Sequence, residues 1–519
     1  MRPFLWCAVL FLAAARPWAC QGQARAEAPP KLVKETWDTA YVEGARCGYF
    51  HTTVHEVERD GKKCYRTSQE MSLLVKRYKD VVRLRIESSV DETAEGKVVA
   101  LTLTQFTDQG KFTVTGTVEK DKLVLKPEGD PKGKTLAWDD KAVGPYKQDR
   151  MLADRKAKAG DKLEFLSFEP SLFTAVTVRA VVKPAEEVDL LEEVKNGEGV
   201  KVQRVKKSLL RVEAQPDQIM VEGKPVKLPR LVTWLDDAYA VARSETEFPG
   251  LGKMTLYRTT AAVAKQEGLA PALLPDLGLN TLIPVDKALD GVHTKSEAVY
   301  RITIQGDDDP ATAFARDARQ EVKNVKDKTF ELHVKAVRRP AKVENPGKAD
   351  EEFLKGSYFI DGDDAKVKEL TAKAVGDEKD AWQRALRIEK WVNKNMTGTS
   401  GVAFATASQV AKDLKGDCRQ HAMLMTAMCR AAGVPARTAV GLVYVRDPDK
   451  GPALGFHMWT EVWVQGQWLG LDATLGEGGV GPGHLKIADH SWNDTQTLAP
   501  VLPVLRVMGK TKVEVLSVK

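Results

Sequence analysis

Three observations predict an α+β fold, with a central helix packed on an antiparallel sheet in the C-terminal part and a β-rich antiparallel region before it. Apolar and polar residues alternate in runs such as Val81-Val82-Arg83-Leu84-Arg85-Ile86-Glu87 and Val98 to Phe106, and such runs recur from about Lys31 to Ala264. That period of two is the signature of strands with one buried face. Helical periodicity gathers instead after residue 360, over Asp361 to Ala374, Asp380 to Asn395 and Cys418 to Ala432. The third of these stretches is apolar almost all round (Ala422, Leu424, Met425, Ala427, Met428, Cys429, Ala431), which marks a buried helix. Strands predicted at Arg437 to Val445, Met458 to Val464 and Trp468 to Ala473 supply the sheet for it to rest on.

A chain of 519 residues exceeds a single core and divides into several units. The expected boundaries are a signal peptide at 1–26, a β-rich antiparallel domain at 27–265, a linker at 266–292, a small α+β unit at 293–340, a linker at 341–350 and a C-terminal domain at 351–519. The 78 basic and 72 acidic residues leave a net charge of +6. They are interleaved, with no basic run and no alternation of basic and aromatic residues, so nucleic acid is not an expected partner.

Met1-Arg2 followed by the apolar stretch Phe4 to Ala15 reads as an export signal, and Ala24-Arg25-Ala26 supplies small residues for cleavage before Glu27. The expectation is a periplasmic or extracellular protein. Cys20 offers a lipid-anchored alternative, for which Pro17 and Trp18 are a poor match. No later stretch approaches the ~18 consecutive apolar residues of a membrane helix, so no integral span is expected once the signal is removed.

In the β-rich region Asp60-Gly61 is a two-residue hairpin turn between Gly48 to Val57 and Cys64 to Val75. That register sets Cys64 opposite Val57, ten residues from Cys47. Ten strand residues span roughly 33 Å, whereas a disulfide needs Cα atoms within about 7 Å, so both thiols should be free. Turn chemistry at Asp108-Gln109-Gly110, Pro127-Glu128-Gly129-Asp130 and Asn196-Gly197 separates further strands, and a curved sheet or incomplete barrel follows. His51 and His55 share a strand face like half a metal site, but no further ligands stand at suitable spacing, and ordinary histidines are expected. No metal or cofactor is expected.

The chemistry concentrates between Gly416 and Thr474. Cys418 follows Gly416-Asp417, where Asp417 is a natural N-cap, and the start of a helix favours a thiolate. Cys429 falls in the apolar middle of the same helix and reads as structural. His457 and Asp472 stand fifteen residues apart across a turn at Gln465-Gly466-Gln467. A hairpin loop of even length puts Asp472 opposite His457 or one pair along, on the same face. Nucleophile, base and orienting carboxylate are thus Cys418, His457 and Asp472. His421, three residues after Cys418, is a rival base about 60° further round the helix and lacks a fixed carboxylate. Asp361-Gly362-Asp363-Asp364 lacks the spacing of a calcium loop and reads as a turn and N-cap.

At Gly416-Asp417-Cys418, Arg430 to Arg437, His457-Met458-Trp459-Thr460-Glu461-Val462 and Trp468 through Asp472-Ala473-Thr474, the chain resembles the transglutaminase-like superfamily. The likeness covers about 130 residues well and 351–519 loosely. Met458 departs from the family pattern, where alanine is commoner. The resemblance implies a papain-like core in which Cys418 attacks an amide, His457 moves the proton and Asp472 orients it, with a protein or peptide as substrate. Family members include cross-linkers, deamidases, proteases and peptide:N-glycanases. Transglutaminase-like acyl transfer, a cysteine peptidase or amidase on the same triad, and a non-catalytic extracytoplasmic binding protein are therefore the readings left open. The resemblance says nothing of the β-rich region.

Overall fold

A computed structural model describes residues 30–519 apart from 78–79, 108–109, 129–132, 197–198, 222, 249–251, 267–273, 400–404 and 494–498. The export signal, Cys20 and the turns at Asp108-Gln109, Gly129-Asp130 and Gly197 lie outside the described residues. The chain makes two compact units, one running to Ile219 and resuming at Lys227–Leu277, the other formed by Met220–Val226 and Gly278–Lys519.

The first unit is one antiparallel sheet of fourteen strands among the described residues. Lys31–Val42 stands near its middle, between Ala45–Arg59 and Gly252–Thr259, and successive neighbours run out to edge strands at Lys134–Ala137 and Lys162–Glu169. Val90, Leu101, Val114 and Leu125 from one arm pack in a single core with Phe168 and Phe173 from the other. The sheet therefore curls on itself. The Asp60-Gly61 turn holds both residues at positive φ, 50° and 72°, and aligns Arg59 with Lys62 and Val57 with Cys64. Cys47 and Cys64 are buried and free. Burial pushes the Cys47 thiol up to about 12. His51 Nε2 lies 2.8 Å from Glu35 Oε1 and its ring stacks on Trp37, so it is an ordinary partnered histidine.

The second unit has two sheets that matter here. In one, Ala436–Asp447 lies between Gly451–Val464 and His484–His490, while Gln467–Leu471 and Ile283–Pro284 also pair with Gly451–Val464. In the other, Gln320–Lys326, Thr329–Lys335 and Glu297–Ile304 are joined by Thr511–Val518. The residues read as a small unit at 293–340 thus supply three of four strands, and the end of the chain supplies the fourth. No local pattern could show that pairing. Helix Cys418–Ala431 lies against the first sheet and is surrounded by Ala365–Val375, Ala381–Asn395 and Ala407–Asp413, which accounts for its all-round apolar sequence. Thr426 Oγ1 meets Thr460 Oγ1 at 3.0 Å, and Thr460 donates to the Ala422 carbonyl at 3.1 Å, tying helix to strand. At the helix end the buried Arg430 donates to the carbonyls of Ala436, Lys355 and Ser491. The acidic run at 361–364 ends in Asp364, whose side chain caps the helix that starts at Ala365. Among the described residues no helix is long and apolar enough to cross a membrane, which leaves a crossing by strands unaddressed.

Candidate active site

Cys418 is the first residue of its helix and half-buried. The Asp417 carboxylate accepts from the Arg419 N–H at 2.9 Å, and Gln420 Oε1 accepts from the Asp417 N–H at 3.1 Å. This reciprocal cap fixes the first turn. Gly416 makes room for it: at φ 151°, a Cβ there would sit 2.4 Å from that of Gln420.

His457 faces Gly441 across the sheet, and its strand turns through Gln465-Gly466 into Gln467–Leu471. Pairing ends with Thr460 against Leu471, so Asp472 comes one step past the ladder on the side that His457 occupies. His457 Nε2 lies 2.7 Å from Asp472 Oδ2. After Asp472, the Cys418 side chain is the next group that acts on this ring. All three expected residues are brought together.

The electrostatics are those of an ion pair held in a dry place. Burial disfavours a charged His457 ring, but the Asp472 carboxylate and then the Cys418 thiol outweigh it and raise its pKa well above the ordinary histidine value. Burial likewise opposes ionisation of Asp472, yet His457 and then His484 hold it well below the usual carboxylate range. His421 is otherwise engaged. Its Nδ1 donates to the Asp417 carbonyl at 2.8 Å, and burial lowers its pKa. Cys429 is fully buried, and burial raises its thiol pKa far above normal.

Three residues around Asp472 escaped the sequence reading. His484 Nε2 lies 3.0 Å from the same Oδ2 that meets His457. Glu389 Oε1 accepts from the Asp472 N–H at 3.0 Å, and burial pushes its carboxyl up to about 8. Asn393 donates to the carbonyls of Ala473 and Thr474 at 3.0 and 3.1 Å. The signal for Glu389 was its place beside Ile388 and Val392 on an apolar helix stripe, where a carboxylate needs a reason. His484 opens the strand Leu485-Lys486-Ile487-Ala488 with no pattern of its own to mark it, and only the pairing of Val443 with His484 brings it here. The ligating atoms of His457, Asp472 and His484 lie within 4.8 Å of one another, a donor set that a metal could also use. Their nitrogen-to-oxygen spacings of 2.7 and 3.0 Å are those of N–H···O bonds.

The sequence profile of the Transglutaminase-like superfamily matches residues 368–473, a span that holds Cys418, His457 and Asp472. The C-terminal unit therefore carries a transglutaminase-like domain, preceded in the chain by the β-rich region. A protein of Haemophilus influenzae is 34% identical over 97 residues, 18% of this chain. The chain matches only 26% of that relative's length. A putative cysteine protease from Cytophaga hutchinsonii is 19% identical, with a TM-score of 0.29, over 42% of this chain and 83% of its own. A beta-barrel-like protein from Brucella abortus is 14% identical, with a TM-score of 0.30, over 44% of this chain and 96% of its own. At such scores neither likeness carries an argument. The superfamily match supports a cysteine-based enzymatic role in general.

Proposed function

We propose that the C-terminal unit performs thiol-dependent acyl transfer on protein or peptide amides, with Cys418, His457 and Asp472 as its catalytic residues. The observation that supports this most is the His457 imidazole, which meets the Asp472 carboxylate at 2.7 Å and lies within electrostatic reach of the Cys418 side chain. The Cys418 sulfur adds to the carbonyl carbon of a glutamine side chain or peptide bond. His457 gives its proton to the departing nitrogen, and a thioester remains. A primary amine or water, deprotonated by His457, then attacks the thioester and releases the thiol. Asp472 holds the ring in the tautomer that this exchange requires. With the expected export signal, the substrate is a protein or peptide outside the cytoplasm.

Mass spectrometry of a glutamine-containing peptide incubated with the full chain, with and without a primary amine, separates the outcomes. A mass gain from the amine identifies a transferase. Deamidation or cleavage in water identifies the hydrolase with the same triad. Cys418→Ala should lower either product by at least about 10⁴-fold, since the covalent route is gone. Cys418→Ala turning over at the wild-type rate would sink the proposal, and an unmodified peptide under every condition would favour the non-catalytic binding protein.

A further inference from the structure

The Asp472 carboxylate carries more than a catalytic partner needs. Its Oδ1 accepts from the Thr474 N–H at 2.8 Å, and its Oδ2 lies 2.7 Å from His457 Nε2 and 3.0 Å from His484 Nε2. Two imidazoles therefore converge on one oxygen. A carboxylate oxygen takes two donors readily, but two imidazolium rings so close would repel each other. The arrangement therefore disfavours a positive charge on both rings at once.

The surroundings of His484 make its ring the uncharged one. Its ring is almost completely buried, set edge-on to Trp459, His293 and His457 with centroids 5.3, 5.5 and 5.8 Å away. A Cβ on Gly483 would come 2.9 Å from the His293 ring, so this packing leaves no slack. The backbone carbonyl of His484 accepts from both terminal nitrogens of Arg319, at 3.1 and 2.7 Å. His484 Nδ1 is buried with no hydrogen-bond partner, which fits a lone pair there and the ring proton on Nε2, aimed at Asp472. Besides Asp472, the titratable and charged groups that face the ring are His457, Arg319 and His293. Burial lowers the His484 pKa to about 4 against the pull of Asp472, so the ring donates without charge through the neutral range.

We propose that His484 is a positioning residue: its uncharged Nε2–H pins Asp472 Oδ2 where that oxygen can hold the His457 ring against Cys418. The inference rests on the triad reading above. Without this bond only the Thr474 N–H and the His457 ring itself hold the carboxylate, so Oδ2 is free to move with the ring and the support for a charged His457 weakens. Cys418 would then be a slower nucleophile at neutral pH.

The test uses alkylation of the full chain by iodoacetamide across a pH series, with the modified cysteine located by peptide mass spectrometry. In the wild type Cys418 should react far ahead of the buried cysteines. Failure of that control overturns the triad reading itself and, with it, this proposal. Two variants then ask about His484. The amide nitrogen of His484→Gln reaches about as far as Nε2, whereas that of His484→Asn stops near the position of Nδ1. Both remove the ring and its packing. His484→Asn should slow Cys418 alkylation at pH 7 about 10-fold, while His484→Gln stays within about 2-fold of wild type. On a peptide substrate, the loss in His484→Asn should fall on kcat and leave KM unchanged. Equal slowing in the two variants would mean that the ring only fills space, and unchanged rates in both would mean that Asp472 needs no second clamp. Either result overturns the proposal.

Discussion

Each unit of this protein buries an aspartate to the same degree, and the two are used differently. Asp91, in the large sheet, is 2% exposed and Asp472, beside Cys418, is 3% exposed. Asp91 is gripped by Arg66 through Nε at 2.6 Å and a terminal nitrogen at 2.8 Å, and Arg59 bonds the same carboxylate. A guanidinium cannot give up its proton in a protein. The Asp91 cluster therefore has no partner that can hand on a proton, and it serves to hold strands together. Asp472 is gripped by imidazoles, a kind of side chain that can give up and take back a proton during a reaction. The same cost of burying a carboxylate is met in both places, but only the second arrangement can pass a proton onward. The partner, more than the burial, separates a structural carboxylate from a reactive one.

The comparison breaks most directly at His457. His457→Ala should lower peptide turnover by about 10³-fold or more, and Asp472→Asn by about 10²–10⁴-fold, because the amide favours the wrong imidazole tautomer. The double variant should cost little beyond His457→Ala alone, as expected of residues that act in series. Steady-state rates of the three variants decide it. Losses that multiply would mean that Asp472 works through something other than His457.

Asp91→Asn is the matching experiment in the other unit. It should leave turnover unchanged and lower stability by about 1–2 kcal/mol, read from a denaturant melt. The figure allows for solvent screening, since the Arg59 and Arg66 side chains are 41% and 36% exposed. A loss of activity without a loss of stability would erase the distinction drawn here.

Much of this was legible before any fold was known, because it depends on local rules. The Asp60-Gly61 turn fixed its own register, the Asp417 cap put Cys418 at the start of a helix, and the spacing across the turn at Gln465-Gly466-Gln467 put His457 and Asp472 on one face. What stayed hidden depends on contacts between distant stretches. His484 reaches Asp472 only because its strand pairs with Ala436–Asp447 across an irregularity between Val440 and Gly441. The sheet that joins 297–335 to 511–518 unites segments almost two hundred residues apart. The polar character of Glu389 was visible in sequence, but its partner, the backbone N–H of Asp472, was not.

Glu389 gives the finest probe of the difference between the units. Its carboxyl is buried among apolar neighbours of the Ala381–Asn395 helix and accepts from the backbone of Asp472, with the Asp472 charge close by. Burial raises its pKa from 4.5 to about 8. Folding therefore takes up a proton at this site between those two pH values. The native state binds more protons there than the unfolded chain, so stability falls as pH rises through the window. Glu389→Gln fixes the uncharged form and keeps an oxygen for the Asp472 N–H. The variant should match the wild type near pH 4.5 and exceed it by about 1 kcal/mol at pH 8, a figure reduced for relaxation around the charge. Melting temperatures of the two proteins across that range would show curves that diverge upward with pH. Parallel curves would mean that Glu389 is ionised throughout, and that Asp472 works beside a second negative charge instead of a neutral acid.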